Sequence, residues 1–174
     1  VMESLMKTGL PVIAFPPCAQ VLTRSHRIVT WNISQIQSSL EHGLIPVIYG
    51  DTVFDETIGG TILSTEEQFV YLAALLHPSR ILLAGIEQGI WKDFPRRADL
   101  CERITPENMQ NISAHLEASE SPDVTGGMRS KVTSMLELVQ AGHCREVCIF
   151  SGLEDQSIQN ALAGKCAGTK ISFD

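Results

Sequence analysis

The sequence predicts an α/β fold in which helices cover a mostly parallel open sheet. Three observations carry this. Along the 174 residues, apolar periodicity switches repeatedly between strand-like runs and helix-like stripes. Two runs, Ile81-Leu82-Leu83-Ala84 and Val147-Cys148-Ile149-Phe150, are apolar on both faces, as strands sandwiched between helices are. Strand and helix signals alternate, which favours layers joined by crossovers.

Taken in order, Met2 to Lys7 reads as a helix tail closed by Gly9 and Pro11. Residues 11–15 form a short strand stopped by Pro16-Pro17. Asn32 is placed to cap a helix with Ile33, Ile36 and Leu40 on its buried face, and Gly43 ends it. Residues 45–49 are the next buried strand, beginning at Pro46 because proline cannot donate within a ladder. Residues 50–64 read as a loop and hairpin, turning at Gly59-Gly60. Ser64 and Glu67 have the spacing of a capping box. The helix they open should bury Phe69, Val70, Leu72, Ala73 and Leu76, and His77-Pro78 stops it. Residues 81–84 are a strand. Thr105-Pro106-Glu107 starts a helix with a Met109, Ile112, Leu116 stripe. Residues 117–127 are loop-like, and a helix over 128–141 ends at Gly142. A strand at 147–150, a helix at 155–163 and a strand at 170–173 complete the chain.

Composition narrows the function. Twenty acidic residues against thirteen basic ones leave a net charge of −7. That argues against nucleic-acid binding, which needs a basic surface. No apolar run approaches the ~18 residues of a membrane span. The five cysteines are odd in number and widely spaced, so they do not read as a disulfide framework. With no visible signal peptide, a reducing, cytoplasmic setting is expected. Cys144, Cys148 and His143 lack further ligands at metal spacing, and no metal site is expected. Arg96-Arg97 reads as a solvated pair.

Ligands of open α/β sheets bind beyond the carboxyl ends of the strands. Three segments qualify. Gly50-Asp51 follows a strand and lets backbone approach a ligand. Ala84-Gly85-Ile86-Glu87-Gln88-Gly89-Ile90-Trp91 follows another, with Trp91 available as a wall. Asp123-Val124-Thr125-Gly126-Gly127-Met128 leads into a helix carrying Lys131, a place where exposed N–H groups and the helix dipole favour an anion. It is not a Walker A loop.

Together these strings resemble the amino acid kinase superfamily, and within it isopentenyl phosphate kinases. The resemblance rests on residues 43–51, Ile62-Leu63-Ser64, Asp123 to Met128 with Lys131, and the tail Ser151-Gly152, Ala161-Leu162, Gly164 and Gly168-Thr169-Lys170-Ile171. It covers essentially the whole chain. It implies a three-layer α/β/α sandwich, with residues 1–64 in an acceptor-binding lobe and 65–174 in a nucleotide-binding lobe. It implies ATP and Mg²⁺, a small phosphorylated acceptor, and a homodimer as often found in the family. Lys131 matches the lysine that stabilises charge on the transferring phosphoryl group. Thr125, Gly126, Gly127 and Met128 match the phosphate-side loop. Gly85, Gln88, Gly89 and Trp91 match the nucleotide-side loop. Gly50, Asp51, Leu63 and Ser64 match the acceptor side.

Two departures stand out. Glu66 stands near the place of the family's aspartate, with the same charge and one methylene more. Gln88 replaces a common aspartate. The family's initial glycine-rich loop with its lysine, and the segment with the acceptor-binding histidine, are not in these residues, so the 174 residues alone are expected to be inactive. Phe54 and Ile58 suit a greasy acceptor or a core. Other acceptors (fosfomycin, UMP or an acyl amino acid) and a non-catalytic nucleotide-binding module are the alternatives.

Overall fold

A computed structural model describes residues 1–112 and 127–173. The chain divides into two compact units, Val1–Tyr71 and Leu72–Asp174. The expected lobe boundary lay at 64/65, near the start of the helix that carries this division.

The first unit opens with helix α1 (Met2–Lys7) and strand β1 (Val12–Ala14). A hairpin follows, β2 (Val21–Arg24) and β3 (Arg27–Trp31), then helix α2 (Ser34–Glu41) and β4 (Ile45–Val47). A second hairpin, β5 (Asp51–Asp55) and β6 (Gly59–Leu63), leads into helix α3 (Thr65–Leu76). Strands β1 and β4 are parallel, and β3-β2-β5-β6 form a four-stranded sheet with β2 and β5 parallel. The β2–β3 hairpin has no counterpart in the sequence reading.

Local chemistry explains most helix ends. Asn32 Oδ1 accepts the Ser34 N–H at 3.0 Å, so it caps α2 from one residue further out than expected. Gly43 takes φ +72° at the other end, a conformation that glycine adopts without strain. The capping box at α3 is present: Ser64 N–H donates to Glu67 Oε2 at 2.9 Å, and Glu67 N–H donates to Ser64 Oγ at 3.2 Å.

Several expectations are corrected. Leu40 is exposed, and Ser39 is buried beside Ile36 instead. Ile45 is 41% exposed, because β4 pairs with β1 alone and has α2 as its main packing partner. Pro46 lies inside β4, in register with Ile13. The hairpin turns at Glu56, Thr57 and Ile58, while Gly59 and Gly60 already belong to β6. Asp55 explains that shift. Its carboxylate accepts the backbone N–H groups of Ser25, His26, Thr57 and Ile58 at 2.9–3.1 Å and the Thr23 hydroxyl at 2.9 Å. One side chain thereby holds the turns of both hairpins.

Burial pushes the Asp55 carboxyl up, but the His26 and Thr57 N–H groups, the Thr23 hydroxyl and the Ile58 N–H outweigh it and hold it well below its ordinary 3.8. A depressed folded-state value means that the stabilisation is complete above the unfolded value. It drains away as pH falls through 3.8 toward the folded value, because the unfolded chain takes up the proton first. Asp55→Asn is expected to lower the melting temperature at pH 7 by on the order of 5 °C. It should also flatten the loss of stability between about pH 4 and pH 2. Urea unfolding of both proteins across that range checks it; parallel pH profiles would refute it.

The second unit is built on the sheet β10-β12-β11-β7. Its strands are β7 (Arg80–Gly85), β10 (Arg103–Ile104), β11 (Glu146–Ser151) and β12 (Thr169–Ser172). Strands β7 and β11 are parallel over six residue pairs. A small antiparallel pair, β8 (Ile90–Trp91) and β9 (Leu100–Cys101), lies between β7 and β10 in sequence. Helix α4 (Gly127–Gln140) packs on β11 and β12, and helix α5 (Ser157–Leu162) on β11 and β7. Cys148 and Phe150 pack with Ala161, and the pleat turns Val147 and Ile149 to the opposite, equally buried face. That is why this strand reads as a continuous apolar run. A helical turn at 109–112 buries Ile112; Leu116 lies outside the described residues.

Cys148 is buried, as its apolar run foretold, and is joined to Cys166 in a disulfide that the spacing did not announce; Cys18, Cys101 and Cys144 are free. No described helix is long and apolar enough to cross a membrane.

Candidate functional site

In the first unit the residues expected on the acceptor side converge. Strands β1 and β4 are parallel, so the segments after their carboxyl ends, Pro16 to Cys18 and Ile48 to Asp51, lie at the same end. Asp51 ties them together: its Oδ2 accepts the Cys18 N–H at 3.4 Å and its Oδ1 the Thr52 N–H at 2.8 Å. The side-chain hydrogen bond with Cys18 holds the Asp51 carboxyl below its ordinary value, and the same bond raises the Cys18 thiol. This anion serves as a brace for the loop, leaving Gly50 as the open backbone position.

Asp51 and Leu63 are directly paired across the hairpin. A Cβ at Gly50 would lie 3.5 Å from the Leu63 carbonyl oxygen and 3.7 Å from Thr65 Oγ1. Gly50, Asp51, Leu63, Ser64 and the first turn of α3, which contains Glu66, therefore form one locality.

Gln68 holds it from beneath, and sequence reasoning missed it. The side chain is fully buried, where Phe69 was expected and is instead 38% exposed. Gln68 Nε2 donates to the Tyr49 carbonyl at 2.8 Å and approaches that of Leu63 at 3.5 Å. One amide thus fastens the ends of both strands that carry the acceptor-side residues. The only sequence signal was a polar residue inside an apolar stripe. Phe54 and Ile58 are exposed, as is Ile62, which excludes the core reading.

In the second unit the nucleotide-side segment leaves β7 at Gly85. Gly85 and Ser151 are the last paired residues of β7 and β11, and Gly152 N–H donates to the Gly85 carbonyl at 2.8 Å. The segment then passes under β12. Ile90 N–H donates to Thr169 Oγ1 at 2.7 Å, and Gly89 is so close that a Cβ would sit 2.6 Å from that oxygen. A Cβ at Gly168 would fall on the carbonyl oxygens of Ile149 and Gln88. Trp91 stands in β8, and its indole N–H donates to Glu87 Oε2 at 3.0 Å.

Arg97 grips the same carboxylate through both oxygens, with Nη2 2.7 Å from Oε1 and Nε 2.9 Å from Oε2. It is therefore more than a solvated cation. The Arg97 hydrogen bonds, opposed by burial and aided by Trp91, hold the Glu87 carboxyl below its ordinary value. Glu87 was quoted in the sequence only as part of its loop; its partner lies ten residues on.

Lys131 lies in the second turn of α4, half-buried, and Met128 in its first. Gly127 is the first residue of that helix; Thr125 and Gly126 lie outside the described residues. The first N–H groups of a helix have no intrahelical partner, which suits an anion there. No group of three or more His, Cys, Asp or Glu able to hold a metal ion occurs among the described residues.

The chain is similar to known proteins over nearly its whole length. The chain is 31% identical over 173 residues to the isopentenyl phosphate kinase of Methanocaldococcus jannaschii, covering 99% of the chain and 62% of that relative. It is 28% identical to the isopentenyl phosphate kinase of Methanothermobacter thermautotrophicus, covering 99% of the chain and 65% of the relative. The chain thus spans less than two thirds of the length of these curated relatives. A solved structure of isopentenyl phosphate kinase superposes with a TM-score of 0.79 at 26% identity, covering 99% of the chain and 64% of that structure. The profile of the Amino acid kinase family matches residues 1–151. With the α/β architecture above, that match shows that the chain belongs to the amino acid kinase family.

Proposed function

We propose that the whole protein is an ATP-dependent small-molecule kinase that converts isopentenyl phosphate to isopentenyl diphosphate. The likeness to isopentenyl phosphate kinases over 99% of the chain carries this reading. The placement of both loop sets at the carboxyl ends of parallel strand pairs supports it. ATP supplies the transferable phosphoryl group. Residues of this chain orient and neutralise: Gly85, Gln88, Gly89 and Trp91 line the nucleotide side. The start of α4, with Thr125, Gly126, Gly127 and Met128, receives the phosphates. Lys131 answers the charge that grows on the transferring group. Gly50, Asp51, Leu63 and Ser64 shape the acceptor side, and Glu66 supplies a carboxylate in the first turn of α3 beside them. ATP enters as its Mg²⁺ complex.

The test is ADP release from Mg-ATP by the full-length protein, with and without isopentenyl phosphate. Acceptor-dependent release is expected. A folded protein that binds ATP yet releases no ADP with this acceptor would overturn the substrate assignment.

A further inference from the structure

The nucleotide-side loop is held in two ways. Its backbone is pinned to β12 by the bond from Ile90 N–H to Thr169 Oγ1 and by the close approach of Gly89. Its side chains are held through one carboxylate, Glu87, whose partner Arg97 lies on the connection between β8 and β9.

That connection is itself braced. Lys92 N–H donates to the Asp99 carbonyl at 2.9 Å, and Lys92 Nζ lies 3.0 Å from Asp99 Oδ1. The Asp93 carboxylate accepts the N–H groups of Ala98 and Asp99, each at 3.1 Å. Arg97 stands between these braces in sequence at φ +57°, a left-handed conformation that favours glycine. An arginine kept in such a backbone points to a task for its side chain. The guanidinium lies 5.2 Å from the centroid of the Phe94 ring and meets Glu87 as a fork. Exposed ion pairs contribute little in general, but a two-pronged arginine–carboxylate pair is the exception. Here a further donor joins it, the Trp91 indole N–H at 3.0 Å from Glu87 Oε2.

Both Glu87 oxygens are thus engaged within the protein, and the consequence falls on Trp91. The indole N–H is the one hydrogen-bond donor of that side chain. Engaging it fixes one edge of the half-buried ring and leaves the flat faces for stacking. We propose that Glu87, clamped by Arg97, is a positioning residue that holds the Trp91 indole as a wall against the nucleotide base. This rests on the placing of Trp91 on the nucleotide side under the proposed function. Neither Glu87 nor Arg97 is assigned to the transferring group, so their part is in binding ATP.

A non-hydrolysable ATP analogue is titrated calorimetrically into the full-length protein. The Trp91 indole N–H resonance, assigned with Trp91→Phe, is followed in parallel. Binding rather than turnover is read, so the acceptor plays no part. Arg97→Met is expected to weaken binding about tenfold and to shift the Trp91 resonance in the free protein, because the carboxylate loses its anchor. Arg97→Lys keeps the charge without the fork and should recover part of the affinity. Glu87→Ala tests the same contact from the other side if Arg97→Met folds poorly. It should weaken binding by a similar factor, and the double variant should be no weaker than either single one. Lys92→Met is the control, since it breaks the other ion pair of the same connection and should leave affinity unchanged. Equal weakening in Lys92→Met would reduce Arg97 to a brace of the fold and overturn the proposal. Unchanged affinity in Arg97→Met and Glu87→Ala, or an unmoved Trp91 resonance in both, would overturn it too. A folded wild-type protein that binds no ATP analogue would overturn the kinase reading and this inference together; the other results bear on this inference alone.

Discussion

Lys131→Ala is expected to slow phosphoryl transfer by about a thousandfold while changing the KM for ATP only a few-fold. Under the proposed reaction, charge on the transferring group is greatest in the transition state, so a cation placed there acts on kcat more than on ground-state binding. Lys131 stands one turn into α4, half-buried, where its ammonium adds to the helix dipole. Lys131→Arg should recover part of the loss, because charge is kept while a planar fork replaces a compact ammonium. Single-turnover rates at saturating Mg-ATP and isopentenyl phosphate separate the two effects. An alanine variant that keeps a tenth of the wild-type rate would remove Lys131 from the transferring phosphate.

The largest expected effect on stability belongs to Gly168→Ala, at about 3 kcal/mol or more. The added methyl would coincide with the carbonyl oxygens of Ile149 and Gln88 and press on Phe150 Cα at 2.9 Å. These neighbours are backbone, so no side chain can swing aside. The strain falls where β11, β12 and the nucleotide-side loop meet, so surviving folded protein should also bind ATP more weakly. Gly142 is the control. Its φ of +72° disfavours a side chain, yet nothing lies within 4 Å of its Cβ position. Gly142→Ala should therefore cost only about 1 kcal/mol. Denaturant midpoints of the two variants decide the matter: equal losses would mean that space at Gly168 is not the constraint.

Legibility in the sequence followed the distance between partners. Ser64 and Glu67 are three residues apart, and their reciprocal capping bonds formed as their spacing foretold. The stops at Gly43 and Gly142 are single-residue properties and were equally visible. Strand β11 declared itself because burial on both faces demands apolar residues at nearly every position, while the similar run of β7 is buried only at Ile81 and half-buried or exposed elsewhere. Two of the candidate loops were found because they follow apolar runs, at residues 45–49 and 81–84.

Side chains whose partners lie far off in sequence were not legible in that way. Periodicity placed Phe69 in the core, yet Gln68 occupies it, because an amide there can reach the Tyr49 carbonyl nineteen residues back. Nothing near Asp55 announced that Ser25 and His26, about thirty residues earlier, would donate to it. The Cys148–Cys166 disulfide spans eighteen residues and needed the β11–β12 register to bring the sulfurs together.

The sequence by itself determined where several helices start and stop, that β11 is buried on both faces, and the family-like strings of the candidate site. Only the tertiary structure decided which carboxylates act as braces and which glycines are held by space rather than by φ. The physical reason is strand register. It sets which distant residues become neighbours, and it arises from the packing of whole elements rather than from any local pattern.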